Sequence, residues 1–129
     1  MDLKEAGIDL HPMVKEKLKI LGSFNFEVNY FPYVDQELYC EWREITVLPN
    51  NQYYLGQWNK MNSLRDGMGK QIWADGRFYE GFWKNDKPEG KGRLIHPDGE
   101  VYEGEWLKGK AHGRGSYYHK NGTIFKGQL

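Results

Sequence analysis

A motif that recurs every 23 to 25 residues constrains the fold of this chain more than any other feature of its sequence. The first half of the motif reads Tyr-x-Gly-x-Trp and occurs at 54–58, 79–83 and 102–106. The second half begins with Gly-x-Gly and ends at Asp-Gly or Asn-Gly. A unit of this length cannot bury a core by itself, so consecutive copies must pack against each other. The sequence therefore predicts an array of stacked units.

Each copy reads as a β-hairpin. Tyr102, Gly104 and Trp106 alternate with two glutamates, which is the two-residue period of a strand. Glycine weakens a strand by about 0.5–1 kcal/mol, so its recurrence needs a steric reason. On a neighbouring strand, glycine leaves a flat slot in which a Tyr or Trp ring can lie. The rings and glycines predicted to form this spine are Tyr54, Gly56, Trp58, Tyr79, Gly81, Trp83, Tyr102, Gly104, Trp106, Gly90, Gly92, Gly113 and Gly115.

The combination of these motifs resembles the MORN repeat (membrane occupation and recognition nexus). The resemblance covers residues 45–129, as a half repeat at 45–53, full repeats at 54–78, 79–101 and 102–124, and a partial repeat at 125–129. It implies a mainly β fold, an elongated, twisted antiparallel meander of hairpins. It also implies a scaffold or docking module, in a cytoskeletal or ciliary assembly, and some similar proteins are proposed to bind phosphoinositides.

Residues 1–44 lack the repeat and read as a separate N-terminal segment. Pro12 near its start and Gly22 after its end predict a short helix over about 12–21. Alternating apolar residues predict two strands, over about 23–31 and 37–43. A one-residue change of phase near Arg43 predicts a β-bulge. Two interpretations stay open: a cap in which helix and strands shield the open edge of the array, or a docking segment that orders on a partner.

The charges are balanced overall but divided along the chain. The sequence has 18 basic and 18 acidic residues, with net −4 over 1–52 and net +4 over 53–129. The zero total argues against a nucleic-acid partner. No apolar run approaches the 18 residues of a transmembrane segment, and the single cysteine, Cys40, cannot form an internal disulfide. We expect a soluble cytoplasmic protein whose acidic N-terminal segment lies partly against the basic array.

No residues have the spacing of a catalytic, metal or cofactor site. The segment 104–110 has the spacing of a phosphate-binding loop, but Ala111 replaces the required Ser or Thr and no helix follows. The four histidines lack metal-ligand spacing. Asp75, Asp98 and Asn121 each precede a glycine, which favours a turn role over a catalytic one. We therefore expect a protein that is not an enzyme and holds no cofactor or metal.

The remaining candidates lie on the surface. Glu80, Glu103 and Glu105 are expected to point outward from the first strands. Bases recur in the loops, predicted at 84–89 and 107–112, and at the start of the second strands. They form a candidate docking edge of Lys84, Lys87, Lys91, Arg93, Lys108, Lys110 and Arg114. The edge is either a solvated surface with cross-strand ion pairs or a docking site for acidic protein or anionic lipid.

These observations favour a non-catalytic protein-interaction scaffold or structural subunit. A peripheral module that binds phosphoinositide or another anionic lipid is the first alternative, and peripheral membrane association would follow from it. A regulatory array for a separate enzyme is the second. The sequence stops after one strand of a fourth repeat, which leaves two expectations open: a truncated array, or a C-terminal edge that another copy or subunit completes.

Overall fold

The computed structural model describes residues 3–27 and 36–129. Half of the chain is β-strand, in an open antiparallel sheet of nine strands, so the predicted mainly β fold is confirmed. The strands are β1 Cys40–Trp42, β2 Thr46–Leu48, β3 Gln52–Asn59, β4 Arg65–Ile72, β5 Phe78–Lys84, β6 Lys87–Ile95, β7 Val101–Leu107, β8 Lys110–Tyr118 and β9 Ile124–Gln128. The helices are α1 Pro12–Leu21 and α2 Gln36–Tyr39. From β3 to β9 each strand pairs with the next along the chain, as a meander requires.

The turns between repeats follow the prediction. Gly76, Gly99 and Gly122 have φ angles of 100°, 97° and 93°, in the region that favours glycine. The carboxylate of Asp98 accepts a hydrogen bond from the Glu100 amide at 2.9 Å, and equivalent bonds form in the other two turns. Asn51, which replaces the turn glycine in the half repeat, also has a positive φ, of 58°.

The turns within repeats are tighter than predicted. Two residues, Asn85 and Asp86, join β5 to β6, and both have positive φ angles. Lys108 and Gly109 join β7 to β8 in the same way. The prediction of polar loops at 84–89 and 107–112 is wrong, because two residues of positive φ suffice to reverse a twisted hairpin and the strands continue almost to the tip.

The alternation of side chains gives the sheet two different faces. The spine face carries a core cluster of rings: Tyr54, Trp58, Tyr79, Trp83, Tyr102 and Trp106. On the opposite face, Ile72, Phe78, Ile95 and Val101 lie side by side in register across β4 to β7. Residues 3–27, which we call the strap, pack on this second face, and we call it the strap face. Val14 of α1 is fully buried there.

Helix α1 occupies the range expected from its flanking residues. The His11 Nδ1 accepts a hydrogen bond from the Met13 amide at 3.1 Å, and the Gly22 amide donates to the Leu18 carbonyl at 2.8 Å. Leu18 and Leu21 pack with Val14 against the apolar row of the strap face. The helix therefore covers a face of the sheet, whereas the cap interpretation had placed it at the edge.

The strap has no strand after α1. Residues 23–27 are irregular, so the strand predicted over 23–31 is wrong for this part, and 28–31 lie outside the described residues. Phe24 and Phe26 contact each other edge to face, with ring centroids 5.0 Å apart, and Phe26 contacts Phe82 of β5 at 5.8 Å. The alternating aromatic residues thus pack on the strap face without pairing as a strand.

Two short strands form the N-terminal edge of the sheet. β1 pairs with 57–59 of β3 and β2 pairs with 52–54. Between them, the Arg43 amide reaches the Gly56 carbonyl at 3.5 Å, which is the interruption predicted near Arg43. The strand predicted over 37–43 is shorter, because α2 precedes β1. Leu38 and Tyr39 are exposed there, so the apolar alternation does not reflect burial in a sheet.

Candidate functional site

The rings of the spine face form one continuous chain. Tyr54 contacts Trp58 of its own repeat at 5.1 Å between centroids and Trp83 of the next repeat at 5.3 Å. Tyr79 bridges Trp83 and Trp106 in the same way, with both distances 5.3 Å. All of these contacts are edge to face, the geometry that aromatic quadrupoles favour. Tyr54 and Tyr79 therefore each link two successive repeats, and Tyr102 ends the chain on Trp106 of its own repeat.

Glycines make room for these rings. A Cβ added to Gly92 would lie within 3.0 Å of the Tyr79 ring, and one added to Gly81 would lie 2.5 Å from the Gly92 Cα. Gly56 with Gly69, and Gly104 with Gly115, repeat this arrangement. Gly90 and Gly113 have a different role, since both have positive φ angles; Gly90 lies opposite Trp106, and Gly113 lies against the Glu105 side chain.

The polar atoms of five of the six rings are hydrogen-bonded to the backbone. The Tyr79 hydroxyl donates to the Phe82 carbonyl at 2.9 Å, and Tyr54 and Tyr102 make equivalent bonds. The indole nitrogens of Trp83 and Trp106 donate to glycine carbonyls on the preceding hairpin at 3.2 and 3.0 Å. Burial raises the pKa of Tyr102 above its ordinary value, with Glu105 adding to the effect. The spine face is thus a structural core in which, among the six rings, the Trp58 indole nitrogen alone lacks a hydrogen-bond partner.

Arg65 lies over the start of the spine, a position that the sequence analysis missed. Its guanidinium lies 4.7 Å from the centre of the Trp83 ring, and its Nε is 2.7 Å from the Asp86 carboxylate. Burial alone would raise the pKa of Asp86, but the hydrogen bonds and charge of Arg65 outweigh it and lower that pKa. The pair fixes the β5–β6 turn against the preceding hairpin.

A buried ion-pair ladder crosses the strap face. Arg93, only 3% exposed, bonds to Glu80 at 3.1 Å and to Glu103 at 3.3 Å, and its other bond goes to the Gly22 carbonyl of the strap. Lys70 lies 3.5 Å from Glu80. The expectation that Glu80 points outward is wrong, because the strap covers this face and leaves Glu80 2% exposed.

The sequence held a signal for this ladder. Glutamates recur in the first strands of the second and third repeats, and basic residues recur in the second strands of the first and second repeats; an antiparallel register brings them opposite each other.

The basic residues of the candidate docking edge do not form a single stripe. Lys84, Lys87, Lys108 and Lys110 are exposed at the tips of the β5–β6 and β7–β8 hairpins. Lys91 and Arg114 lie in mid-strand on the strap face. Arg93 is buried between two glutamates and is not available to a partner. Only the four tip lysines share one end of the sheet.

Exposed apolar residues collect at the N-terminal edge, which the sequence analysis did not single out. Leu38, Tyr39, Trp42 and Val47 are 70%, 56%, 60% and 67% exposed, and we call them the apolar edge. A concave space of about 810 Å³ lies beside Trp42, and its other lining residues are Arg43, Glu44, Ile45 and Leu55. No signal in the sequence marked them, because the alternation of Leu38, Cys40 and Trp42 predicts that all three are buried in a strand.

Within 3–27 and 36–129, no group of three or more His, Cys, Asp or Glu side chains is placed to hold a metal ion. No helix in these ranges has both the length and the apolar character that crossing a membrane requires.

A family model described as MORN repeat matches residues 54–76, 79–101 and 102–124, which together make up 69 of the 129 residues. The three matches coincide with the three hairpins that carry the ring chain. No curated protein matches the chain.

Proposed function

Because the chain belongs to the MORN-repeat family, whose repeats are generally protein- or lipid-binding modules, we propose that it is a non-catalytic scaffold that binds a protein partner. The observation that carries this proposal is the apolar edge. Four large apolar side chains lie exposed within ten residues, on α2 and on the outermost strands β1 and β2, and Trp42 lines a concave space. Exposed apolar patches of this kind are typical of protein contact surfaces.

The ring chain gives such a contact a firm base. β1 and β2 pair with β3, and β3 carries Tyr54 and Trp58 of the spine. A partner that docks on the apolar edge therefore contacts strands that are paired directly with the first strand of the ring chain. The strap-face ladder adds a second connection across β4 to β7.

The proposed setting is a cytoplasmic assembly of the cytoskeletal or ciliary kind. This part of the proposal rests on the family resemblance alone. Imaging of a tagged full-length chain in the cells that express it tests this part. Co-localisation with cytoskeletal or ciliary structures is expected, and a diffuse or luminal distribution would contradict it.

The scaffold proposal is tested by photo-crosslinking at the apolar edge. A photoreactive amino acid at position 47 should capture one protein reproducibly, and the Trp42→Glu variant should reduce the yield at least about tenfold, since truncating or charging a buried aromatic anchor costs about 1.4 kcal/mol or more. Ile20→Glu is the matched control, because Ile20 is also an exposed apolar residue but lies on the outer side of α1.

The control should leave the yield unchanged. Thermal unfolding of both variants should match the wild type, because the substituted side chains are exposed. The scaffold proposal fails if position 47 captures no specific protein, or if both variants lower the yield equally.

Lipid binding is a second candidate function, favoured by the hairpin tips. The tip lysines Lys84, Lys87, Lys108 and Lys110 flank the exposed Leu107, a combination of cations and an apolar side chain that suits an anionic membrane surface. Flotation with vesicles that contain phosphoinositide should then depend on these four lysines. Equal flotation of the wild type and of the fourfold Lys→Glu variant would exclude the tips as the membrane contact.

Two further versions of the scaffold proposal concern the identity of the partner. A separate enzyme regulated by the array is one, and it would be recognised by identifying the captured protein. A second copy of this chain, or another subunit, that pairs with the outer side of β9 is the other. Sedimentation of the full chain tests the self-association version, which predicts a dimer at micromolar concentration.

A further inference from the structure

The alternation of charge on the strap face stops at its C-terminal end. Lys91 Nζ lies 3.5 Å from Glu105 Oε1, and Glu105 Oε2 accepts a hydrogen bond from the Arg114 amide at 3.1 Å. This hydrogen bond, with the charge of Lys91, lowers the pKa of Glu105. Glu105 is therefore already engaged. Beyond it the next positions are the cations Arg114 and Lys126, which face the neutral Gln128 and Ser116 in register.

These two cations lack a counter-ion of their own. No ion pair joins the side chain of Arg114 or Lys126 to any residue of the described part of the chain. They lie on adjacent strands in diagonal positions, a separation of about 7–8 Å or less between their Cα atoms. Like charges at this spacing repel each other, and an anion between them would offset the repulsion.

A cavity contains both cations. Its volume is about 340 Å³. Phe24 of the strap and Tyr118 of β8 contribute aromatic surface, and Gly104, Gly115 and Gly127 expose backbone to it. Lys91, Ser116 and Glu103 also line the space, and the Glu103 carboxylate is already paired with Arg93 at 3.3 Å, so three cations face one neutralised acid. The cavity therefore offers cations and a hydroxyl beside apolar rings, with room for a side chain and part of its neighbour.

We propose that this cavity binds a carboxylate side chain of a protein partner, with an adjacent apolar residue of that partner packed on Tyr118. The inference rests on the proposed scaffold function and names a second contact of the same scaffold. A glutamate or aspartate there would continue the pattern seen at Arg93 and Lys91, where each strap-face cation is paired with a carboxylate.

The position of the cavity favours a peptide over a membrane surface. Arg114 and Lys126 lie in mid-strand and share the cavity with the strap, whereas the tip lysines lie at the ends of the hairpins. A flat anionic surface would meet the tips before it met the cavity. An extended peptide, by contrast, can place one side chain into a recess of this size.

The experiment is a titration of the ¹⁵N-labelled full chain with acetyl-Leu-Glu-Glu-Phe-amide and with its Gln-Gln counterpart. The acidic peptide should give saturable amide shifts at Gly115, Ser116 and Lys126, and the Gln-Gln peptide should bind at least about tenfold more weakly, because charge-assisted bonds are the stronger ones. Equal binding of the two peptides, or no shift with either, would overturn the inference.

Two matched variants locate the contact. Arg114→Gln with Lys126→Gln should lower the affinity for the acidic peptide at least about tenfold, while Lys84→Gln with Lys108→Gln should leave it unchanged. Both pairs remove two positive charges, so a general effect of net charge would act on them alike. A loss in the tip pair as large as in the cavity pair would contradict the inference.

Phosphatidylserine vesicles provide the opposing arm. If the wild type ignores the peptide but floats with these vesicles, and the cavity pair abolishes flotation, the cavity is a membrane site and the peptide inference is wrong. The scaffold proposal is judged separately by crosslinking at position 47. If crosslinking succeeds and the peptide does not bind, only the cavity inference is wrong. If the peptide binds and crosslinking fails, the apolar edge is not the contact surface.

Discussion

The two faces of the sheet are built from different parts of the chain. On the spine face, every ring is supplied by the repeats themselves, and each contact joins a residue to its own repeat or to the next one. On the strap face, the repeats supply an apolar row and an ion-pair ladder, and the N-terminal residues 3–27 pack over both. One face is therefore closed by local repetition and the other by a long-range contact.

This difference predicts where substitutions act. Damage to the spine face should spread along the array, because Tyr54 and Tyr79 each contact the tryptophan of the next repeat. Damage to the strap should loosen one segment and leave the array folded. The exception is Arg93, because its side chain bonds both to the sheet, at Glu80 and Glu103, and to the strap, at Gly22.

Arg93→Met is expected to have the largest effect. It leaves the buried Glu80 without its closest cation, and breaking a buried pair costs about 3–5 kcal/mol. Urea unfolding followed by tryptophan fluorescence measures this loss. Adding Glu80→Leu should recover part of the stability, because no unpaired charge then remains. A loss below about 1 kcal/mol for Arg93→Met would show that the ladder does not hold the strap face together.

Gly81→Ala should cost about 3 kcal/mol, since the added Cβ would lie 2.5 Å from the Gly92 Cα and 2.7 Å from the Lys91 carbonyl oxygen, and backbone cannot move aside. Gly122→Ala is the control. It has open space around it but a φ of 93°, so only the backbone penalty of about 1–2 kcal/mol applies. Equal losses in the same urea experiment would mean that the glycine row is not a steric slot.

Val14→Ala should cost about 2 kcal/mol through lost burial and the cavity that it leaves. Hydrogen exchange distinguishes its location. Amides of α1 should exchange faster, while amides of β5 to β7 keep their protection. If the strands lose protection to the same extent, the two faces unfold as one unit and the contrast drawn between them is wrong.

Tyr102→Phe should cost about 1 kcal/mol, because it removes the hydrogen bond to the Glu105 carbonyl while keeping the ring in the spine. Tyr118→Phe on the strap face is the matched control, with an expected change within about 0.5 kcal/mol. Thermal unfolding of the two variants compares them. If Tyr118→Phe lost more stability than Tyr102→Phe, the stabilising hydroxyl bond would not belong to the spine face as proposed.

The smallest effect is expected from pH. Burial raises the pKa values of Tyr54 and Tyr102, so the folded state holds these protons more tightly than the unfolded state does. Stability should therefore be constant through neutral pH and should fall as the pH rises above the ordinary tyrosine pKa of 10.0. Melting temperatures across the alkaline range test the sign. A rise in stability above that pH would contradict it.

Much of the spine face was predictable because its information is local. The positions of Tyr79, Gly81 and Trp83 and of the glycine turns follow from a period that can be read along the sequence. The burial of Glu80 was not predictable in the same way. It depends on a strap that lies more than fifty residues earlier, and nothing in the repeat reports that contact.

The remaining differences also have physical reasons. Asn85 and Asp86 resemble ordinary loop residues, but their positive φ angles make a two-residue turn. Leu38 and Phe26 belong to alternating patterns that predict strands, yet one is exposed and the other packs across a face. An alternation of apolar residues predicts which side chains become buried, but it does not predict which part of the chain buries them.

The repeating contacts between rings fix the distance between the two ends of the sheet. Neighbouring strands lie about 4.8 Å apart, so each hairpin adds about 10 Å between the apolar edge at β1 and β2 and the cavity at β8 and β9. Because Tyr79 closes on the tryptophan of the next repeat in the way that Tyr54 does, one more copy of 79–101 would lengthen this spacing by one step and leave both ends unchanged. Copy number would then set the distance at which two bound segments are held apart.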